Sequence, residues 1–110
     1  MPIDLPAPIR TFIEATNAGD SDAFAAAFTE DARVDDWGRK FHGRDGVRSW
    51  DRTDNIGVNA HFEVVSAAPG PGPDCMTVVL TVTGDGYNGT GPMVFCLRDG
   101  LIAGLRISGS

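Results

Sequence analysis

The sequence predicts an α+β fold, a cone in which three N-terminal helices pack on a curved antiparallel sheet. In the first half of the chain, apolar residues recur at the spacing of one helix face. In the second half, short runs rich in Val and Thr are separated by glycine-containing turns, which is typical of strands. Helices followed by a block of strands favour the α+β class, because a parallel sheet would need the two to alternate.

The first helix is the clearest element of the sequence. Ile9, Phe12, Ile13 and Thr16 recur on one helical face, so this face needs a partner surface. Gly19 can end the helix because glycine adopts the left-handed conformation without steric cost.

A second and a third helix follow. Asp20 or Ser21 can cap the second helix, and the third is expected over residues 44–54. Each has an apolar or mixed stripe on one face: Phe24, Ala27 and Phe28 in the second helix, and Val47, Trp50 and Asp54 in the third.

Most of the remaining chain predicts strands. Two short strands flank Trp37-Gly38 as a hairpin, and Asp99-Gly100 is a strong hairpin signal near the end of the chain. The segment 69–74 alternates proline and glycine and therefore indicates a loop. The other strands are expected at residues 60–67, 76–83, 93–98 and 101–107, with Tyr87 in the glycine-rich connection 85–91.

Length and charge restrict the possible functions. The chain has 110 residues, enough for one domain spanning 1–110, and a net charge of −6. It has no cluster of Lys and Arg, so binding to nucleic acid or to an anionic membrane surface is not expected. No apolar run reaches the ~20 residues of a spanning helix. No signal peptide is apparent at the start, so we expect a cytoplasmic location.

The two cysteines, Cys75 and Cys96, lie within apolar runs. Without a secretion signal, two reduced and packed thiols are expected rather than a disulfide. No histidine stands at ligand spacing from either cysteine, so no metal site is predicted. The sequence also gives no sign of a cofactor site.

Several segments resemble the nuclear transport factor 2-like superfamily, which includes ketosteroid isomerases and polyketide cyclases. The resemblance is carried by residues 17–24, where the first helix turns into the second, and by residues 28–34. Phe41-His42-Gly43 before the third helix and the closing Asp99-Gly100 hairpin also fit. The resemblance implies the cone-shaped, cystatin-like roll of that superfamily, with a pocket between helices and sheet.

The resemblance also implies roles for individual residues. Asp36 stands where ketosteroid isomerases keep their general base. Phe12 and Met93 stand where those enzymes place a tyrosine and a protonated aspartic acid that stabilise the oxyanion, so this chain lacks both donors. From the residues alone, Asp36 could equally be a structural carboxylate that accepts hydrogen bonds in the hairpin.

Three side chains are candidates for catalysis: Asp36, Asp54 and His61. Asp54 lies one turn beyond Trp50, and His61 could exchange protons with either carboxylate if it faces inward. The expected ligand-binding residues are mainly aromatic or apolar: Phe12, Phe28, Trp37, Trp50, Tyr87, Met93, Phe95 and Leu105.

Three functions fit these residues. The first is a cofactor-independent isomerase, cyclase or hydrolase-like enzyme that uses Asp36 as general base on a small apolar organic ligand. The second is a module that binds such a ligand without chemistry. The third is an interaction module that forms a homodimer through the outer sheet face, where Thr77, Val79 and Thr81 alternate with inward apolar residues.

Overall fold

The computed structural model describes residues 5–107 of the chain. Three helices, Ala7–Ala18 (α1), Ser21–Ala26 (α2) and Gly43–Asp54 (α3), pack on a six-stranded sheet, and a short 3-10 turn, Ile56–Val58, follows α3. The strands are Phe28–Asp36 (β1), Arg39–His42 (β2), His61–Pro69 (β3), Cys75–Thr83 (β4), Gly89–Arg98 (β5) and Leu101–Ile107 (β6). Their order in the sheet is β2-β1-β6-β5-β4-β3. The predicted α+β class with three helices is confirmed.

Helix α1 forms as its pattern predicts. Ile9 and Phe12 are fully buried, and Thr16 is nearly so. The helix ends at Gly19, whose φ of 71° lies in the left-handed region, as expected. The backbone N–H groups of Gly19 and Asp20 donate to carbonyl oxygens of the last turn, which satisfies two of its free acceptors.

Helix α2 is shorter than its apolar stripe suggests. The side chain of Asp20 caps it by accepting from the N–H of Ala23 at 3.1 Å. The helix ends at Ala26, and Phe28 begins strand β1, so the prediction that Phe28 lies on the second helix is wrong. The N–H of Ile102 donates to the carbonyl of Ala27 at 2.8 Å, so pairing with β6 replaces a further helical turn.

The sheet is mixed rather than wholly antiparallel. Strand β1 runs antiparallel to β2 but parallel to β6, which corrects the predicted topology. Strand β2 pairs with one edge of β1, and β6 pairs with the other edge. The two predicted hairpin turns each have two residues of positive φ, as a two-residue type I′ turn requires. These residues are Trp37 and Gly38 in one turn, and Asp99 and Gly100 in the other.

Cys75 and Cys96 form a disulfide, which contradicts the expected reduced thiols. The two cysteines meet because the register of β4 and β5 places them directly opposite each other. Their spacing in the sequence could not reveal this contact, since it depends on where the two strands align.

The core lies between the helices and the inner face of the sheet. In β4, Val78, Leu80 and Val82 are buried, whereas Thr77 and Val79 on the other face are only partly covered. Phe12 is the centre of an aromatic cluster whose ring centroids lie 5.0–6.5 Å from its own: Phe24, Phe28, Trp50, Phe62 and Phe95. Within residues 5–107, no helix has both the length and the apolarity needed to cross a membrane.

Candidate active site

A cavity of about 220 Å³ opens beside the aromatic core. Buried side chains form its inner end, among them Trp50, Phe62 and Leu80. Polar and exposed side chains of the β1–β2 hairpin and the end of α3 form its outer end. The cavity therefore offers an apolar interior with polar groups near the opening, as small-molecule sites generally do.

Asp36 lies at this opening, as the last residue of β1. Its Oδ2 accepts a hydrogen bond from the indole N–H of Trp50 at 3.0 Å and another from the guanidinium of Arg39 at 2.8 Å. Its Oδ1 has no hydrogen-bond partner among residues 5–107. One carboxylate oxygen is thus held in place while the other is free to contact a ligand.

Arg39 joins two carboxylates at the opening. The same guanidinium nitrogen lies 2.8 Å from Asp36 and 2.8 Å from Asp54. Burial acts to raise the pKa of Asp54, but hydrogen bonds from Arg39 and Thr53 outweigh it and hold the pKa below its usual value. Asp54 is therefore a carboxylate at neutral pH, and Arg39 offsets the repulsion between the two negative charges.

Two exposed aromatic side chains, Trp37 and Tyr87, form what we call the aromatic rim of the cavity. Trp37 is 64% exposed and has a φ of 54°, a conformation that is rare for a bulky residue and costs about 1–3 kcal/mol. Its backbone N–H donates to the carbonyl of Ile107 at 2.9 Å, which anchors the turn. Tyr87 folds over Gly89, where a Cβ would meet its hydroxyl oxygen. The β1–β2 turn and the connection between β4 and β5 thus each place an aromatic ring at the opening.

A buried polar group beneath the cavity was not predicted from the sequence. The side-chain amide of Asn55 donates to Asp51 at 3.1 Å and to Thr16 at 2.9 Å, and all three residues are buried. Burial raises the pKa of Asp51, although hydrogen bonds from Asn55 and Ile56 oppose this effect. The spacing of four residues between Asp51 and Asn55 is visible in the sequence, but Asn55 lies just beyond the expected third helix, 44–54, where the sequence alone suggests no buried role.

The structure brings together six of the residues that the sequence singled out. They line one cavity, and they are Asp36, Trp37, Trp50, Asp54, Tyr87 and Met93. Four other expected ligand-binding residues are buried in the core and do not line this cavity: Phe12, Phe28, Phe95 and Leu105. In a chain this small, apolar residues of core and pocket have the same sequence pattern, so the sequence could not separate them.

His61 lies away from the cavity. Its side chain is 52% exposed and its Nε2 lies 3.9 Å from Glu63. The next residue, Phe62, faces the core, and alternation along β3 therefore turns His61 outward. The expected proton exchange with Asp36 or Asp54 has no support in this geometry.

The cavity has few free hydrogen-bond donors. Phe12 and Met93 are apolar and buried, so neither offers a proton to an oxyanion. The indole N–H of Trp50 is already bonded to Asp36. The guanidinium of Arg39, the indole N–H of Trp37 and the hydroxyl of Tyr87 are the remaining side-chain donors among the described lining residues at the opening.

Three helices on a curved mixed sheet, with an apolar cavity between them, define a cone of the nuclear transport factor 2-like superfamily. Residues 9–105 match the sequence profile of the SnoaL-like domain family. Because this match covers most of the chain, the protein belongs to that family. The resemblance found in the sequence is thereby confirmed. None of the curated proteins compared with the chain matches it significantly.

Solved structures agree with this placement. A Sinorhizobium meliloti protein assigned as a polyketide cyclase is 27% identical, with a TM-score of 0.85 and 96% of each chain covered. The Δ5-3-ketosteroid isomerase of a Mycobacterium species is 18% identical, with a TM-score of 0.80 over 94% of this chain and 91% of that one. A Mycobacterium tuberculosis protein in complex with estradiol-17β-hemisuccinate is 17% identical, with a TM-score of 0.79 over 94% and 92%. The last two likenesses show the fold alone.

Proposed function

We propose that this protein binds a small, mainly apolar organic molecule in the cavity and uses Asp36 as a general base on it. The reaction would be a cofactor-independent proton transfer of the isomerase, cyclase or hydrolase type. One observation carries the proposal: Asp36 stands at the opening of an apolar cavity with Oδ2 fixed by two donors and Oδ1 free of partners among the described residues. A positioned carboxylate beside bound substrate is what general-base catalysis requires.

The size of the cavity limits the ligand. At about 220 Å³ it lies below the ~300–1,000 Å³ usual for ligand sites. A ligand of one or two rings therefore fits inside, and a larger one would extend past the aromatic rim. Some structural neighbours act on or carry steroids. For this chain, steroids are candidate ligands only if part of the ring system remains outside the cavity.

Binding without catalysis is the second candidate function. It is favoured by the apolar side chains of Phe12 and Met93, which leave a developing oxyanion without the donors that usually supply the largest catalytic term. Arg39, Trp37 or Tyr87 would have to replace them from the exposed side of the cavity. Water screens an exposed donor, so its contribution would be smaller.

A kinetic comparison separates the two functions. The probe is a two-ring β,γ-unsaturated ketone, whose conversion to the conjugated isomer changes its ultraviolet absorbance. Wild type, Asp36→Asn and the matched control Asp35→Asn are compared, because Asp35 does not line the cavity and its Oδ1 accepts a hydrogen bond from the N–H of Gly38 in the turn. Catalysis by Asp36 predicts a loss of at least about 100-fold in Asp36→Asn, and wild-type rates in the control. Binding of the probe with no turnover in any variant would support the non-catalytic function.

We also propose a homodimer through the outer sheet face. Thr77, Val79 and Thr81 of β4 and Val94 of β5 are only partly covered there and form a moderately apolar surface. An isologous contact between two such faces would bury it. Sedimentation at micromolar concentration should show a dimer for wild type and a monomer for Val79→Lys. A monomeric wild type would contradict the proposal.

The location of the protein stays a prediction. The sequence led us to expect the cytoplasm, whereas the Cys75–Cys96 disulfide is more common in oxidising compartments. Alkylation of free thiols in intact cells tests this directly. Protein that is labelled at both cysteines supports the cytoplasmic expectation, and unlabelled protein contradicts it.

A further inference from the structure

The inner face of strand β5 lacks a side chain where the strand borders the cavity. Alternation along the strand turns Met93 and Phe95 towards the core, and Gly91 lies two residues before Met93 on the same face. Gly91 is paired with Leu80 of β4, which is buried on that face as well. Because Gly91 lines the cavity, a side chain at this position would point into it.

No backbone requirement explains this glycine. The φ of Gly91 lies outside the left-handed region, so other residues can adopt the same conformation. Glycine in the middle of a strand weakens the strand, because it has no side chain to pack and loses more conformational freedom on folding than any other residue. A β-branched residue would suit the position better. The chain therefore has glycine here at a cost in stability.

No packing contact explains it either. A Cβ built on Gly91 meets no atom of residues 5–107 within 4 Å. Gly89 is different, because a Cβ there would collide with the ring and hydroxyl of Tyr87. Gly89 thus makes room for a side chain of the protein, whereas the space beside Gly91 belongs to the cavity. A strand glycine of this kind marks a place where a ligand can approach the backbone closely.

We infer that Gly91 determines which ligands the cavity accepts, because its missing side chain lets a flat, fused-ring apolar molecule lie against the backbone of β5. Leu80 on the paired strand and Met93 on β5 are buried, line the cavity and supply apolar neighbours for the rings. A side chain at position 91 would occupy the space that a second ring needs. The inference rests on the proposed binding function and adds the ligand class. The reacting end of the ligand would lie near Asp36.

The test uses two flat probes of different size, the two-ring 2-naphthol and the one-ring phenol. Calorimetric titration gives the dissociation constant of each probe for wild type, Gly91→Ala, Gly91→Val and Gly104→Ala. Gly91→Val should weaken 2-naphthol by about tenfold or more, the usual effect of overpacking an apolar site, and phenol by less than about threefold. Gly91→Ala should have an intermediate effect on 2-naphthol.

Gly104→Ala is the matched control. Gly104 is a strand glycine that does not line the cavity, and its Cβ would lie 3.9 Å from the Cβ of Cys96, which is an ordinary van der Waals contact. Both probes should therefore bind Gly104→Ala as tightly as they bind wild type. A loss of 2-naphthol affinity in this variant equal to that in Gly91→Ala would contradict a particular role for Gly91.

Thermal melts separate this role from a structural one. If the glycine serves the ligand, Gly91→Ala and Gly91→Val should melt at or above the temperature of wild type, since both substitutions restrict the unfolded chain. A lower melting temperature of Gly91→Ala would overturn the inference, and so would equal losses of the two probes or an unchanged affinity of Gly91→Val for 2-naphthol. Each of these outcomes leaves the proposed binding function standing. If neither probe binds wild type, that function fails and the inference fails with it.

Discussion

The indole N–H of Trp50 donates to Oδ2 of Asp36 over 3.0 Å and links the middle of α3 to the end of β1. Trp50 also stacks on Phe12 with ring centroids 6.5 Å apart, so one side chain connects the aromatic core to the charged opening. The position of the carboxylate is thus set by a residue that core packing already fixes. Pre-organisation of this kind keeps a catalytic or binding group in one geometry.

Trp50→Phe should reveal this link. Phenylalanine keeps much of the aromatic packing and removes the N–H, so Asp36 retains Arg39 as its partner. We expect the free energy of unfolding to fall by about 1.5–3 kcal/mol, the usual range for a hydrogen bond to a charged group. Any turnover that depends on Asp36 should fall as well. Urea melts and the ketone assay measure the two effects.

Trp37→Phe is the control for this substitution. Trp37 is 64% exposed, so the same change there should alter stability by no more than about 0.5 kcal/mol. Equal losses in the two variants would mean that the bond from Trp50 to Asp36 has no particular role.

Removal of the disulfide is the second prediction. The bridge closes a separation of 21 residues between β4 and β5, so Cys96→Ser should lower the free energy of unfolding by about 2–3 kcal/mol. Thermal melts with and without dithiothreitol measure this. Cys75→Ser and the double variant should lose the same amount, because each removes the same bond. Dithiothreitol should not affect the double variant, and an effect there would point to another cause.

Gly19→Val is the third prediction. The φ of Gly19 is 71°, and a Cβ built there meets no atom within 4 Å. The cost is therefore one of backbone conformation and not of packing. We expect about 1–2 kcal/mol for valine in the left-handed region and a smaller loss for Gly19→Asn, since asparagine tolerates it better. Thermal melts that rank the two variants in the opposite order would contradict this explanation.

Much of the fold could be predicted because it depends on local patterns. The helical spacing of Ile9, Phe12 and Ile13 and the turn residues Asp99-Gly100 act over a few residues, and both predictions are confirmed. Strand pairing is different, because the parallel contact of β1 with β6 joins distant parts of the chain. The disulfide depends on that kind of register and was missed for the same reason.

The candidate site could be predicted only in part. Asp36 was singled out by the resemblance to ketosteroid isomerases, and Trp50 and Asp54 by their shared face on the predicted third helix; all three line the cavity. Phe12 and Phe28 were assigned to the pocket because apolar side chains of wall and core look alike in a sequence. The group formed by Thr16, Asp51 and Asn55 was missed because Thr16 comes from another helix, and polar residues at a helix end are usually solvated.

The last prediction concerns the pH dependence of stability. Desolvation raises the pKa of Asp51 above the usual 3.8, so the folded protein holds this proton more tightly than the unfolded chain. The stability linked to Asp51 is then present below the unfolded pKa and is lost as the pH rises through the folded pKa. At pH 7 the buried charge is a cost. Asp51→Asn removes the charge and keeps an oxygen that can accept from Asn55 and Ile56.

We therefore expect Asp51→Asn to be at least as stable as wild type at pH 7 and to lose this advantage at about pH 3, where Asp51 of wild type is protonated.

Asp54→Asn is the control, and its effect on stability should have the opposite sign. Hydrogen bonds from Arg39 and Thr53 overcome burial and lower the pKa of Asp54, so its contribution is present above the unfolded pKa and is lost as the pH falls through the folded pKa. Asp54→Asn should thus cost stability at pH 7 and less at about pH 3. Urea melts of the three proteins at both pH values decide the matter. An Asp51→Asn variant that is less stable than wild type by the same amount at both pH values would show that its hydrogen-bond geometry, and not its charge, determines the effect.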